Sequence, residues 1–563
     1  MRDEILKSYV STFIEQNDLS EMDYDKAFER FVNLNIVSKL YPREIDFEDL
    51  STGGTKDLAI DGAAIIVNGN IVKAPEEIDY FLQKNGTLDV SFALIQSKTS
   101  SKFAGDKIGS FIFGIKSLFD KEASVEENEK IKQIREIKDK IYQHSIDFEE
   151  APELNLFFVT TGEWKDPEQI EGRVRRELKD LDDKHLFSNK ASIEFYDAER
   201  LKNTYREISR KSVKEIHFNN HVALPDIPGD LNIRQSFIGS VSAKSYLELI
   251  SDSDGKLSKE LFYDNVRDYQ GTNKVNKEIQ ETLKSLKSQC LLPLLNNGIT
   301  IIAKKVDKIG SKLKLTDYQV VNGCQSSHVL FENKKLVSED THIILKIIDT
   351  TDQEVINRII RATNRQTEVT DEAFESLKPF HKDLQEFYKA KSKLLPFPIF
   401  YERRSKEFLG NPSIKPSQII TLAAQIKSYV SIILAQPQST HRYFGELLES
   451  NKEKLFNIGG NLDNYYISSL LVNRLESAFN RNKIYKSYRK FRYHIAYLTY
   501  LQIKKQSKNN HEILVTVSKI DDLIPLFIKS CKIIAASSKE SSLSDKDKVR
   551  SRDFTNQLRE AIQ

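Results

Sequence analysis

Two apolar runs in this chain carry polar groups that a core strand should not have. Leu58-Ala59-Ile60-Asp61-Gly62 places a carboxylate at the end of one, and Ala93-Leu94-Ile95-Gln96-Ser97-Lys98 places an amide and an ammonium in the other. Burying an unpartnered charge costs on the order of several kcal/mol, comparable with the net stability of a domain. Groups held at that cost are expected to act together. Residues two apart on a strand share a face, so Gln96 and Lys98 point the same way, toward Asp61 if the two strands pair. Asp61 then offers carboxylate oxygens and Gln96 an amide oxygen to a hard divalent cation, Mg²⁺ or Mn²⁺. Lys98 stands where negative charge develops on a phosphate. Such a set suits metal-assisted phosphodiester hydrolysis. An amide oxygen is a weaker ligand than an ionised acid, so a second carboxylate is expected, and Glu29 upstream is the candidate.

The elements that must hold these groups follow from periodicity. Residues 24–39 repeat apolar side chains at helical spacing around Glu29. Ser51-Thr52-Gly53-Gly54 is a turn signal, residues 58–67 read as a strand, and Asn68-Gly69 reads as a hairpin turn. A strand over 90–98, helices over 102–119 and 122–142, and strands over 154–160 and 191–196 complete an α/β unit assigned to residues 1–218. Ala27-Phe28-Glu29, Gly53 through Gly62, and Ile95-Gln96-Ser97-Lys98 together resemble the Mrr-like branch of the PD-(D/E)XK nucleases. That resemblance covers roughly the first 200 residues. It implies a restriction-endonuclease-like core with Glu29, Asp61, Gln96 and Lys98 as catalytic residues, Asp61, Glu29 and Gln96 as metal ligands, and DNA as substrate. In the wider superfamily an acid usually stands where Gln96 stands. The long stretch between Asp61 and Gln96 implies an inserted hairpin or loop.

A second unit is assigned to residues 233–404, with strands expected over 299–303, 318–321 and 342–348. Its motifs include Asn296-Asn297-Gly298-Ile299, Val321-Asn322-Gly323-Cys324-Gln325-Ser326, Ala362-Thr363-Asn364-Arg365-Gln366-Thr367 and Tyr401-Glu402-Arg403-Arg404. In this order, with Leu261–Tyr269 and Asn273–Ile279 before them, they resemble the AIPR (abortive infection phage resistance) family. Ser326 replaces the usual Thr and keeps a hydroxyl. The strand–Gly turn–helix pattern at Asn322-Gly323-Cys324 would expose backbone N–H groups to an anion. Amides at Asn297, Asn322, Gln325, Asn364 and Gln366, with Arg267, Arg365 and Arg403, are candidate ligand-binding groups; alternatively the amides cap turns. Cys324 has no dedicated His base beside it, although His328 lies one helical turn on.

Residues 405–563 read as mainly helical. Arg481 through His494 interleaves cations with aromatics, a composition suited to nucleic-acid contact or oligomerisation. Arg489-x-x-x-x-His494 matches the spacing of HEPN ribonucleases, a pair that chance also produces here; a solvated amphipathic helix is the commoner reading.

The bulk numbers bound these readings. The 563 residues carry 84 Lys+Arg against 82 Asp+Glu, a formal net charge of +2, so no global basic field marks nucleic-acid binding. Three scattered cysteines exclude a disulfide framework or a Cys-based zinc site and fit a reducing cytoplasm. The charged start lacks a signal peptide's apolar core, and no apolar run approaches the roughly 20 residues of a membrane span. The expectation is an α/β (α+β) multidomain protein: a nuclease-like core, a central α/β unit and a helical C-terminal region. Its expected function is metal-dependent DNA cleavage in bacterial antiphage defence. A non-catalytic nucleic-acid or nucleotide sensor, or an RNase of the C-terminal region, are the alternatives. A homo-oligomer is compatible with the sequence.

Overall fold

A computed structural model describes the chain apart from residues 1–2, 42, 44, 166–167, 210–211, 219, 226–231, 253, 263–273, 365–374, 377, 404–406, 409–410, 412, 458 and 563. Among the described residues the first sheet has five strands: β1 (Gly62–Val67), β2 (Asn70–Ile71), β3 (Val90–Lys98), β4 (Glu153–Thr160) and β5 (Ile193–Tyr196). Their order is β2-β1-β3-β4-β5. β1 pairs antiparallel with β2 and β3, whereas β3, β4 and β5 are parallel. Asn68 and Gly69, with φ of 48° and 71°, make the tight turn between β1 and β2.

Helices cover both faces, which is why β3 is apolar almost throughout. On one face, α1 (Glu4–Gln16) and α2 (Tyr24–Leu40) pack Phe28, Phe31 and Val32 onto Ala93, Ile95 and Phe157. On the other, α5 (Gly105–Leu118), α6 (Glu129–Gln143) and α7 (Glu168–Asp182) pack Phe111, Ile115 and Leu178 onto Phe92, Leu94 and Phe158. Here α3 is Phe47–Leu50, α4 is Glu76–Asn85 and α8 is Ala198–Ser209.

One local expectation is corrected. The strand predicted over 58–67 begins only at Gly62. Leu58 and Ala59 are left-handed, with φ of 56° and 54°, so residues 57–61 form a tight loop. The apolar side chains there are buried by α5 rather than by strand pairing. Gly114 of α5 lies so close that a Cβ would fall on the Leu58 carbonyl oxygen.

The second sheet runs β6-β10-β9-β11-β8-β7. Its strands are β6 (Val213–His217), β7 (Asn220–Ala223), β8 (Ile233–Ser242), β9 (Ile299–Ile309), β10 (Lys312–Asn322) and β11 (His342–Thr350). β9, β10 and β11 extend past the three expected strands, because the alternation of buried and exposed residues continues beyond the apolar cores used to find them. β9 and β11 are parallel, and the other pairings are antiparallel. β12 (Phe400–Glu402) and β13 (Ile419–Thr421) form a short parallel pair ahead of the helical region. That region packs Leu462–Asn480, Arg492–Gln506 and Ile520–Glu540 around Tyr465, Leu470, Leu498 and Phe527. The fold is mixed α/β with several sheets and a helical C-terminal region, as expected.

The helical region also touches the first unit. Tyr443 lies in the first unit's core, 5.0 Å ring to ring from Phe81, and its hydroxyl donates to Asn70 Oδ1 at 3.1 Å. Arg481 pairs with Asp18 at 3.3 Å and Arg489 with Glu48 at 3.7 Å.

Candidate active site

The site is built where α2 crosses the β1–β3 pair. Asp23 caps α2, accepting from Asp25 N at 2.9 Å, and burial of Phe28 and Phe31 fixes which face meets the sheet. Glu29 and Asn33, one turn apart, therefore look onto the start of β1. Asp61 N donates to Ile95 O at 2.8 Å, and the Asp61 carbonyl accepts from Asn33 Nδ2 at 3.1 Å. Gly62 is required next, since a Cβ there would fall on the Asn33 side chain.

Three donors meet one oxygen. Asp61 Oδ2 accepts from Ser97 N at 2.9 Å, from Lys98 Nζ at 3.3 Å and from Gln96 Nε2. Oδ1 takes no hydrogen bond from a described residue. Asp61 and Gln96 are buried, and the Lys98 side chain is 33% exposed, opening the group to solvent from one side.

The carboxylates around Asp61 are electrostatically linked. Burial and then the Asp61 charge hold the Glu29 carboxyl above its ordinary range, with Lys26 and Lys98 pulling it back. Lys26 Nζ lies 2.8 Å from both Glu29 oxygens. Asp57 shows the same pattern: burial and Asp61 raise its carboxyl, while the Ala59 N–H, Lys26 and Lys98 lower it. The structure thus joins Asp61, Gln96 and Lys98 directly and sets Glu29 within reach of their charges.

Sequence reading missed Asp57, Asn33, Lys26 and Asn128. Asp57 sits four residues before Asp61 in the same motif, and Asn33 four after Glu29 on the same helix face; those spacings were the available signals. Asn128 gave none. Its amide donates to the carbonyls of Thr52, Gly53 and Thr55 at 3.2 Å each, fastening the Gly53-Gly54 turn, while its Oδ1 caps α6 through Ile131 N at 3.0 Å.

Among the described residues no group of three or more His, Cys, Asp or Glu side chains is arranged to hold a metal ion. The oxygens here are Asp61 Oδ1, the Glu29 carboxylate and the Gln96 amide. Two carboxylates with water and phosphate oxygens filling the remaining positions is a usual Mg²⁺ arrangement, so the donor set fits. Gln96 departs from its expected part: its NH₂ faces Asp61, and the amide must rotate to present oxygen.

The middle unit's motif residues are partly visible. Gly323, with φ of 96°, precedes the helix Cys324–Glu332, as the strand–turn–helix reading expects. Asn322 Nδ2 donates to Thr363 O at 2.8 Å, and Gln325 Oε1 accepts from Asn276 at 2.8 Å, so both amides join elements. Asn297 is exposed. Cys324 is buried, and burial pushes His328 down to about 3, which leaves a neutral ring against Phe262. Arg403 follows β12, where its charge bears on buried His381. Arg267, Arg365 and Gln366 lie outside the described residues, as does the Asn364 side chain.

In the helical region His494 is buried, pushed down to about 3, with Nε2 3.2 Å from Thr555 Oγ1. Arg489 instead donates to Glu476 at 2.5 Å and approaches Glu48. The two side chains serve different contacts, and neither is presented as a nuclease pair.

A model of the AIPR protein family matches residues 262–546, just over half of the chain. The chain belongs to the AIPR family. The AIPR match begins inside the second unit and runs through β12 and β13 into the helical region, well past the stretch on which the resemblance was read. The Asp61 site lies outside the AIPR match. Neither the curated proteins nor the solved structures contain a match to this AIPR chain. Among the described residues no helix is long and apolar enough to cross a membrane.

Proposed function

We propose that this AIPR-family chain is a divalent-metal-dependent endonuclease that cleaves DNA in abortive infection, working in the cytoplasm. Family membership suggests the setting in phage defence. One observation supports the chemistry: a buried aspartate whose Oδ2 gathers an amide, a backbone N–H and a lysine from the adjacent strand, while Oδ1 takes no hydrogen bond from a described residue and a second carboxylate, Glu29, feels the Asp61 charge.

Bound Mg²⁺ or Mn²⁺ would activate water and polarise the phosphodiester. Asp61 is fixed for that task by Asn33 and Ser97 N, so its carboxylate does not reorganise. Among the described residues Lys98 donates only to Asp61, and it is partly exposed, so its ammonium is available to a scissile phosphate. Glu29 contributes a carboxylate whose raised proton affinity makes its ionisation follow pH above the ordinary carboxyl range.

The test is cleavage of supercoiled plasmid with Mg²⁺ or Mn²⁺. Asp61→Ala and Lys98→Ala are expected to lose activity, on the order of 100-fold or more, with circular dichroism unchanged. Cleavage that persists in both removes the assignment. The Gln96 and Lys98 contacts to Asp61 also favour a second reading, because they leave the carboxylate neutralised with no metal bound. On that reading the fold grips nucleic acid without cutting, and DNA binding with no cleavage under any divalent metal selects it.

A further inference from the structure

An open groove of about 560 Å³ lies on the loop that carries the acidic centre, lined by Leu58, Ala59, Phe113 and Val125 and edged by Asp57 and by the Lys56–Glu126 ion pair. It shares a loop with the site. Ile60 N donates to Asp57 O at 3.0 Å, closing a turn that holds Asp57 next to Asp61. The turn is costly: Lys56, Leu58 and Ala59 are all left-handed, with φ of 63°, 56° and 54°. Strain of this kind persists only where the surroundings impose it. Here α5 presses on the Leu58 carbonyl at Gly114, and Asn128 holds the preceding residues.

The groove is unlike ordinary surface. Phe113 is 54% exposed and Val125 is 40% exposed, although both belong to a well-packed unit. An exposed aromatic face in such a groove is a stacking platform for a base. The volume falls within the usual range for small planar ligands, about 300–1,000 Å³. A base still paired inside a duplex cannot lay its face on Phe113, so the occupant must be out of the stack. Lys56 Nζ pairs with Glu126 at 2.5 Å, which leaves Asp57 as the carboxylate facing a ligand. An ionised carboxylate accepts hydrogen bonds and does not donate them, so Asp57 selects an edge carrying an exocyclic amine. Thymine has none.

We propose that this groove receives an unstacked, amine-bearing nucleobase of the DNA strand next to the scissile phosphate, with Phe113 as its stacking partner and Asp57 reading its amine edge. The proposal rests on reading Asp61 as the centre of a nuclease, and deepens it by assigning substrate conformation and base preference.

The test uses the full chain in EDTA, so that binding is read without cutting. The probe is single-stranded DNA carrying one 2-aminopurine, whose fluorescence falls on stacking. Wild type is expected to quench the probe. Phe113→Ala is expected to lose the quench and bind about 5- to 150-fold more weakly, and Phe113→Trp to restore both. A thymine-only strand should bind more weakly than a cytosine- or adenine-containing one, and Asp57→Asn should narrow that difference. Wild-type binding with no quench, or a quench unchanged in Phe113→Ala, overturns the proposal. So does an absence of DNA binding. Quenching that depends on Phe113, in a protein that cuts under no metal, supports the groove and removes the nuclease reading. Metal-dependent cleavage with a Phe113-independent probe signal removes the groove alone.

Discussion

Asn33 Nδ2 donates to the Asp61 carbonyl oxygen at 3.1 Å, and the same side chain fills the space a Cβ on Gly62 would need. The glycine after the aspartate is therefore a packing requirement set by α2. Gly62→Ala is expected to cost about 1–3 kcal/mol through overpacking, read as a lower urea midpoint, and to reduce cleavage by displacing Asp61. Asn33→Ala should relieve the clash, so the double variant should lose less than the sum of the two single changes. Simple additivity would show that the two side chains do not compete for this space.

Glu29 gives a pH dependence with a definite sign. Its carboxyl is held above the ordinary value of 4.5, first by burial and then by Asp61. A group whose pKa is higher when folded stabilises the fold while protonated. That contribution is complete below the unfolded value and is lost as pH rises through the folded one. Glu29→Gln should therefore gain stability relative to wild type as pH rises from the ordinary carboxyl range to pH 8, with the difference shrinking again on acidification. Urea denaturation across that range checks this.

Asn128 combines two tasks that substitution can separate. Asn128→Asp keeps the oxygen that caps α6 but loses the amide that fastens Thr52, Gly53 and Thr55. It should keep most of its thermal stability and lose activity, since the loop carrying Asp57 and Asp61 loosens. Asn128→Ala should lose both, with a stability cost of about 1–2 kcal/mol. Activity unchanged in Asn128→Asp would mean that the turn is held by its other contacts.

His494→Ala should act on folding. The ring is buried and neutral, packed beside Phe491 and bonded to Thr555. Its removal should lower the unfolding temperature, at a cost of about 2–4 kcal/mol, without altering Mg²⁺-dependent DNA cleavage by the protein that remains folded. RNA cleavage that disappears in a fully folded His494→Ala protein would instead assign a nuclease role to this region.

Much of the first unit was legible because its signals are local. The polar residues of β3 alternate with a period of two, and Glu29 lies in a helical repeat, so their faces followed from spacing. The loop at 57–61 was misread as strand because Leu58 and Ile60 are apolar, and burial by α5 cannot be told from burial in a sheet by composition. Asn128 was invisible for a different reason: it acts on Thr52 and Thr55 from more than 70 residues away, and an Asn before a helix is unremarkable as a cap. Gln96 was found, but the direction in which its amide points depends on the Asp61 oxygen beside it, and sequence carries no record of that.

Tyr443 completes the core around Phe81, and its hydroxyl bonds to Asn70, 373 positions earlier in the chain. At about 5–20 residues per second, roughly 20–75 s of translation separate the two partners. The first unit is thus fully synthesised well before the ring that seals it exists. During that interval the aromatic ledge at Tyr80 and Phe81 lacks its cover. A chain that stops early keeps that ledge open, so completion of the helical region is what gives the acidic centre's own domain its last core residue.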